Sequence, residues 1–106
     1  MRKTIDDTLL RSFWEIRPLL KVVHHVPGRI RLRLTLKAIT KRPDVDPKEV
    51  IDLLERLHGI DGIRVNRAAA TVVIEYRPAD FDPAFWTFIL SGDQGEVENE
   101  IRRRLV

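Results

Sequence analysis

Residues 24–34 read HHVPGRIRLRL, and the alternation that begins at Arg29 decides how the rest of the chain is read. Ile30, Leu32, Leu34 and Leu36 fall at every second position and share one face. Arg29, Arg31, Arg33 and Thr35 share the other, the pattern of a half-buried strand over 29–36. Pro27-Gly28 stands just ahead of it and has the composition of a hairpin turn. An L-proline at the first turn position, however, gives type I or II geometry, which splays paired strands. The expectation is therefore a bend or bulge leading into one strand.

Upstream, Ile5, Leu9, Phe13 and Ile16 recur at helical spacing, so a helix over 4–17 is expected, stopped by Pro18. Downstream, 38–46 is polar loop. Asp46-Pro47-Lys48-Glu49 then starts a helix, with Asp as N-cap, Pro in the first turn and Glu three residues after the cap. Val50, Ile51, Leu54 and Leu57 form its apolar stripe, and Gly59 closes it. Strands are expected over 62–66 and 71–76, joined by the turn RAAA. Asp82-Pro83 opens another helix with Phe85, Phe88 and Ile89 buried, interrupted by Gly92 and Gly95. Helix resumes over 95–106, where Val97, Ile101 and Leu105 align and Glu98–Arg102 and Glu100–Arg104 stand in the favourable order.

The order is thus a β-α-β-β-α core of ferredoxin-like α+β plan, an antiparallel sheet with helices on one face and extra helices at both ends. The usual fourth strand is missing after the second core helix. Either residues 19–23 add to the sheet edge or the extra helices cover it. The expected core is Ile30, Leu32, Leu34, Val50, Leu54, Leu57, Ile63, Val65, Val72 and Ile74. One domain is expected over 1–106, with an N-terminal helix in 1–18, the core in 20–90 and a C-terminal helix in 95–106.

A chain of 106 residues, 43% hydrophobic and 33% charged, has enough apolar surface for one core and reads as globular. It contains no cysteine, which excludes disulfides, thiolate metal sites, iron–sulfur clusters and cysteine nucleophiles together. That usage fits a reducing cytoplasm. No apolar run approaches the roughly 20 residues that cross a bilayer, and Asp6 and Asp7 fall where a signal peptide is apolar. A cytoplasmic location is expected. The net charge of +3 is too mild to require nucleic acid.

The run His24-His25-Val26-Pro27-Gly28-Arg29-Ile30-Arg31, the helix after it, then Gly-Ile-Asp-Gly-Ile-Arg-Val-Asn and a strand ending Tyr-Arg-Pro together resemble the heavy-metal-associated domain superfamily. The match is to its cysteine-less branch, seen as stand-alone proteins and at the front of some metal-transporting ATPases. The matching residues are His25, Pro27, Gly28, Arg29 and Arg31, then 59–66, then 72–78, within a resemblance covering roughly 20–90. Members that carry copper or zinc do so with Cys-x-x-Cys in the loop after the first strand. Here that loop is Lys37-Ala38-Ile39-Thr40-Lys41-Arg42, with no thiol, imidazole or carboxylate. The resemblance therefore implies the fold and a small binding role, not thiolate metal shuttling.

Three histidines are the remaining nitrogen ligands. In the ferredoxin-like order His24, His25 and His58 gather at one end of the sheet. His25 with His58 forms a candidate pair for a divalent metal or haem iron, His24 is the alternative member, and Arg29 is placed to meet a negative group. The plainer reading, which is favoured, makes His58 a helix-terminal residue suited to the dipole and His25 a hydrogen-bonded residue fixing the Pro-Gly bend. Arg31, Arg33 and Arg64 form a basic row for an anionic partner, or else a solvated sheet face. RNA-recognition domains share the β-α-β-β-α core but need aromatics on the open face, which these positions lack. Nucleic acid is the alternative partner and is not the expected one. Trp14, Trp86 and the outer helices are candidates for docking or for homo-oligomer contacts, though core packing is the simpler fate.

No catalytic Ser/His/Asp order, phosphate-binding glycine loop or HExxH motif is present, and Asp44, Asp46, Glu49, Asp80 and Asp82 have capping or loop roles. A non-enzymatic binding or adaptor module is expected. Its partner would be a protein such as a metal transporter or a shell or membrane protein.

Overall fold

The computed structural model describes residues 5–35 and 47–105. Helix α1 (Ile5–Ile16) buries Leu9, Leu10, Phe13 and Ile16 along one stripe. Pro18 cannot continue it, and the chain leaves through a short 3-10 turn, Arg17–Leu19. Arg17 fastens this corner: its guanidinium stacks 4.8 Å from the Trp14 ring and donates to the carbonyls of Ile89 and Gly92.

Strands β1 (Leu20–Val26) and β2 (Arg29–Leu34) form a hairpin, which corrects the expectation of one bent strand. Val26 pairs with Arg29, so Pro27-Gly28 is a two-residue turn, and Gly28 takes the φ of +92° that its third position requires. The expected bulge does exist, but it lies within β1. The register shifts between Val22 and His24, leaving Val23 as the extra residue. A bulge increases local twist, and this offsets the poor fit of a proline turn between twisted strands.

Helix α2 (Pro47–Glu55) leads to β3 (Ile60–Asn66) and β4 (Thr71–Tyr76). The expected Asp46 cap, Leu36, Asp44 and the 37–42 loop lie outside the described residues. Gly59, with φ +103°, reverses the chain after α2 where a Cβ would stand 2.5 Å from the Phe81 ring. Helix α3 (Pro83–Ser91) is capped by Asp82, which accepts from the Ala84 amide. Helix α4 (Gln94–Arg104) is capped by Asp93, which accepts from the Glu96 amide. Only Gly92 separates the two; Gly95 sits inside α4, because the Asp93 cap starts the helix before it.

The sheet order is β1-β2-β4-β3, antiparallel throughout. β1 therefore takes the edge position beside β2 that the missing fourth strand would occupy, the first of the two alternatives. One core joins the inner sheet face (Ile30, Leu32, Ile74, Tyr76) to buried residues from all four described helices. Leu34, Ile63 and Val72 pack at its margin as expected. Three core assignments change, the first in α2, where Leu53 is fully buried and Ile51 only half-buried. Trp86 is buried in α3, whereas Phe88 is only partly covered. Val65, expected inside, is 52% exposed because β3 is an edge strand and nothing covers its inner face there.

Candidate functional site

The face of the sheet away from the helices is built from three cross-strand rows, since paired residues in antiparallel strands point the same way. One row runs Lys21, Arg33, Thr71, Asn66. The next runs His24, Arg31, Val73, Arg64, with the bulged Val23 beside it, and the third runs Val26, Arg29, Glu75, Gly62. Strands lie about 4.8 Å apart, so Lys21 and Arg33 are direct neighbours, and Arg31 and Arg64 flank Val73. Glu75 is the one carboxylate among these positions. It pairs with Arg64 and lies across from Arg29. Lys21, Arg31 and Arg33 have no acidic partner among the described residues.

The long arginines stand around short residues and leave a shallow concavity of about 380 Å³, floored by Thr71 and Val73 and walled by Val23, Arg31, Arg33 and Arg64. The rows contain no Phe, Tyr or Trp, and His24 carries their one aromatic ring. The arrangement is thus a broad positive surface with small apolar patches. It is suited to anionic groups, and the His24 imidazole is the one flat ring among these rows.

The histidine candidates separate. His24 lies on the open face across from Arg31, and Arg29 is on that face too. His25 points to the inner face, across from Ile30, and its Nε2 lies 2.7 Å from the Tyr76 hydroxyl. Tyr76 packs its ring 5.3 Å from Trp86 and 5.9 Å from Phe81, so His25 is tied to the aromatic core. Desolvation holds the His25 pKa below its ordinary value, and the neighbouring His24 adds to the effect. His58 is exposed in the turn after α2, where its amide donates to the Arg104 carbonyl. It shares the expected end of the sheet with His25 but lies at the opposite edge, three strand spacings or about 14 Å away.

His25 therefore meets Tyr76 rather than His58, and Arg29 faces away from it. No group of three or more His, Cys, Asp or Glu that could hold a metal occurs among the described residues. With no cysteine in the chain, the donors do not fit a thiolate metal site. Sequence reading missed Tyr76 as the partner of His25 and Lys21 as part of the basic face. Both follow once β1 is recognised as a strand, because its register places Lys21 beside Arg33 and turns His25 inward.

The family model described as heavy metal associated domain 2 matches residues 10–102, beginning within α1 and ending within α4. It thus extends beyond residues 20–90, where the motif resemblance lies. No curated protein and no solved structure matches the chain.

Proposed function

This chain belongs to the heavy metal associated domain 2 family, and we propose that it is a non-catalytic docking module whose open, basic sheet face holds an acidic protein surface. The observation that carries this reading is the like-charge adjacency of Lys21 with Arg33, beside an Arg31 that also lacks a carboxylate. Like charges directly across a ladder weaken the sheet. An arrangement that costs the isolated fold stability is relieved when a partner supplies the missing anions.

The cargo chemistry of metal-carrying relatives is not part of the proposal, because the donor set does not support it. Haem or a divalent metal through His25 and His58, with His24 and Arg29 as helpers, is the reading the geometry supports least: the four residues fall on two faces and two edges. Nucleic acid is less well supported than protein, since the face has no Phe, Tyr or Trp to stack successive bases and carries Glu75 in its midst. Within this reading the partner is a cytoplasmic protein surface or the cytoplasmic part of a transporter or shell protein. Among the described residues no helix is long and apolar enough to cross a membrane.

The test is a titration of the full chain with a labelled glutamate-rich peptide and with single- and double-stranded RNA and DNA across a salt series. Peptide binding that weakens with salt, and exceeds nucleic-acid binding at equal ionic strength, is expected. Tighter binding to any of the nucleic acids, or no peptide binding at low salt, overturns the proposal.

A further inference from the structure

The outer edge of β1 is a second feature without a partner among the described residues, and it adjoins the basic face. β1 ends the sheet, and of its residues only Leu20 and His25 are half-buried. Val22 lies on the inner face, across from Leu32, yet it is 51% exposed while Leu32 is buried. The core covers the sheet as far as β2 and reaches the edge strand only at Leu20 and His25. Seven residues of strand offer about 23 Å of ladder.

A strand laid along this edge would continue both faces. Its inner residues would cover Leu20, Val22 and His25, and its outer residues would stand beside Lys21 and His24 and within reach of Arg31 and Arg33. The complementary sequence alternates apolar and acidic residues. A second copy of β1 fails this match, because LKVVHHV brings a further lysine and no carboxylate to the basic face. Lys21 also blunts self-pairing of this edge, whereas a carboxylate beside it in an added strand makes the same position attractive. At the other edge, β3 also exposes an inner valine, Val65, but its cation Arg64 is already paired with Glu75 and Asp61 stands at its start.

We infer that an extended segment of a partner protein, alternating carboxylate and apolar residues, adds to the outer edge of β1 as a fifth strand. Main-chain hydrogen bonds give this mode its affinity and alternate side chains its specificity. The inference rests on the proposed docking role of the basic face and names how the partner engages it.

The experiment uses the full chain and a nine-residue Glu/Val alternating peptide, with two derivatives N-methylated at all Val amides or at all Glu amides. In a strand these two sets point to opposite edges, so one derivative loses the ladder to β1 and the other keeps it. The expected result is binding by the parent peptide, at least tenfold loss for one derivative only, and slowed amide exchange along β1. Arg31→Glu/Arg33→Glu, checked for fold by circular dichroism, is expected to lose binding as well. If the charge reversal abolishes binding while both derivatives bind like the parent, strand addition is wrong and the basic-face reading stands. If the charge-reversed variant binds normally, that reading fails and the inference with it. Absence of binding by the parent peptide also overturns the inference.

Discussion

Lys21 lies directly across from Arg33 in the β1–β2 ladder, and no carboxylate of the described structure meets either one. In the proposed reading this unfavourable pair, which a single substitution would relieve, is kept for the anions of a partner. Elsewhere the same chain pairs its charges readily, as in Arg102 with Asp7 and Arg104 with Glu100.

Lys21→Glu replaces a repulsive cross-strand pair with an attractive one. The expected gain is about 0.2–1 kcal/mol in urea denaturation. The same variant should bind a glutamate-rich peptide more weakly than wild type. Stability and binding moving in opposite directions is the outcome to look for; a variant that gained stability and kept its affinity would remove Lys21 from the docking face.

The outcome for Lys21 also shows where sequence reading reached its limit. The alternation that begins at Arg29 reports pairing faces directly, although β2 ends at Leu34, before Thr35 of the expected 29–36, while the strand expected over 71–76 has those bounds. Alternation says nothing of which strand is the neighbour. The sequence leaves the edge place of residues 19–23 as one of two alternatives, and the Lys21–Arg33 row stays hidden behind a turn rule that the Val23 bulge overrides. Val65 had the right parity and the wrong burial, because parity reports a face and not whether a helix covers it. In α3 the rings of Tyr76, Phe81 and Phe85 take Trp86 into the core, and Phe88, which shares the helical spacing, stays at its margin. His25 and His58 were assigned to the correct end of the sheet but not to its opposite edges.

His25 gives stability a pH dependence of defined sign. Its folded pKa lies below the unfolded reference of 6.5, so the unfolded chain takes up the proton first. The stability linked to neutral His25 is present above the unfolded value and is lost as pH falls from about 6.5 through the lowered folded value. Denaturation midpoints measured from pH 7.5 to 5 should fall in wild type and fall less in His25→Gln. Equal slopes would show that the His25–Tyr76 contact is not the source.

Arg104 holds the end of α4 against the α2–β3 and β4–α3 connections. Its guanidinium stands 4.3 Å from the Phe85 ring and 5.0 Å from Phe81, and it donates to Glu100 and to the Asp80 carbonyl. Arg104→Ala should cost about 1–3 kcal/mol, and Arg104→Lys should recover only part of it, because an ammonium cannot stack on both rings and keep both acceptors. Chemical denaturation of the three proteins decides; full recovery by lysine would reduce Arg104 to a point charge.

Gly59 and Gly62 provide a matched pair. A Cβ at Gly59 meets the Phe81 ring at 2.5 Å on a backbone with φ +103°, whereas Gly62 has open space around it. Gly59→Ala is expected to lose about 1–3 kcal/mol or fail to fold, and Gly62→Ala to be neutral or slightly stabilising within its strand. Similar losses at both positions would contradict the packing described for the α2–β3 turn.

In the proposed reading Arg31 and Arg33, with Lys21, make this face a receptor for acidic protein. The most direct measurement is the affinity of wild type and Arg31→Glu/Arg33→Glu for two peptides of equal length, one rich in glutamate and one rich in lysine, at low salt. Wild type should bind the glutamate peptide and not the lysine peptide, and the charge-reversed protein should invert that preference while its circular dichroism stays unchanged. A reversed protein that keeps its preference for the glutamate peptide would contradict the account.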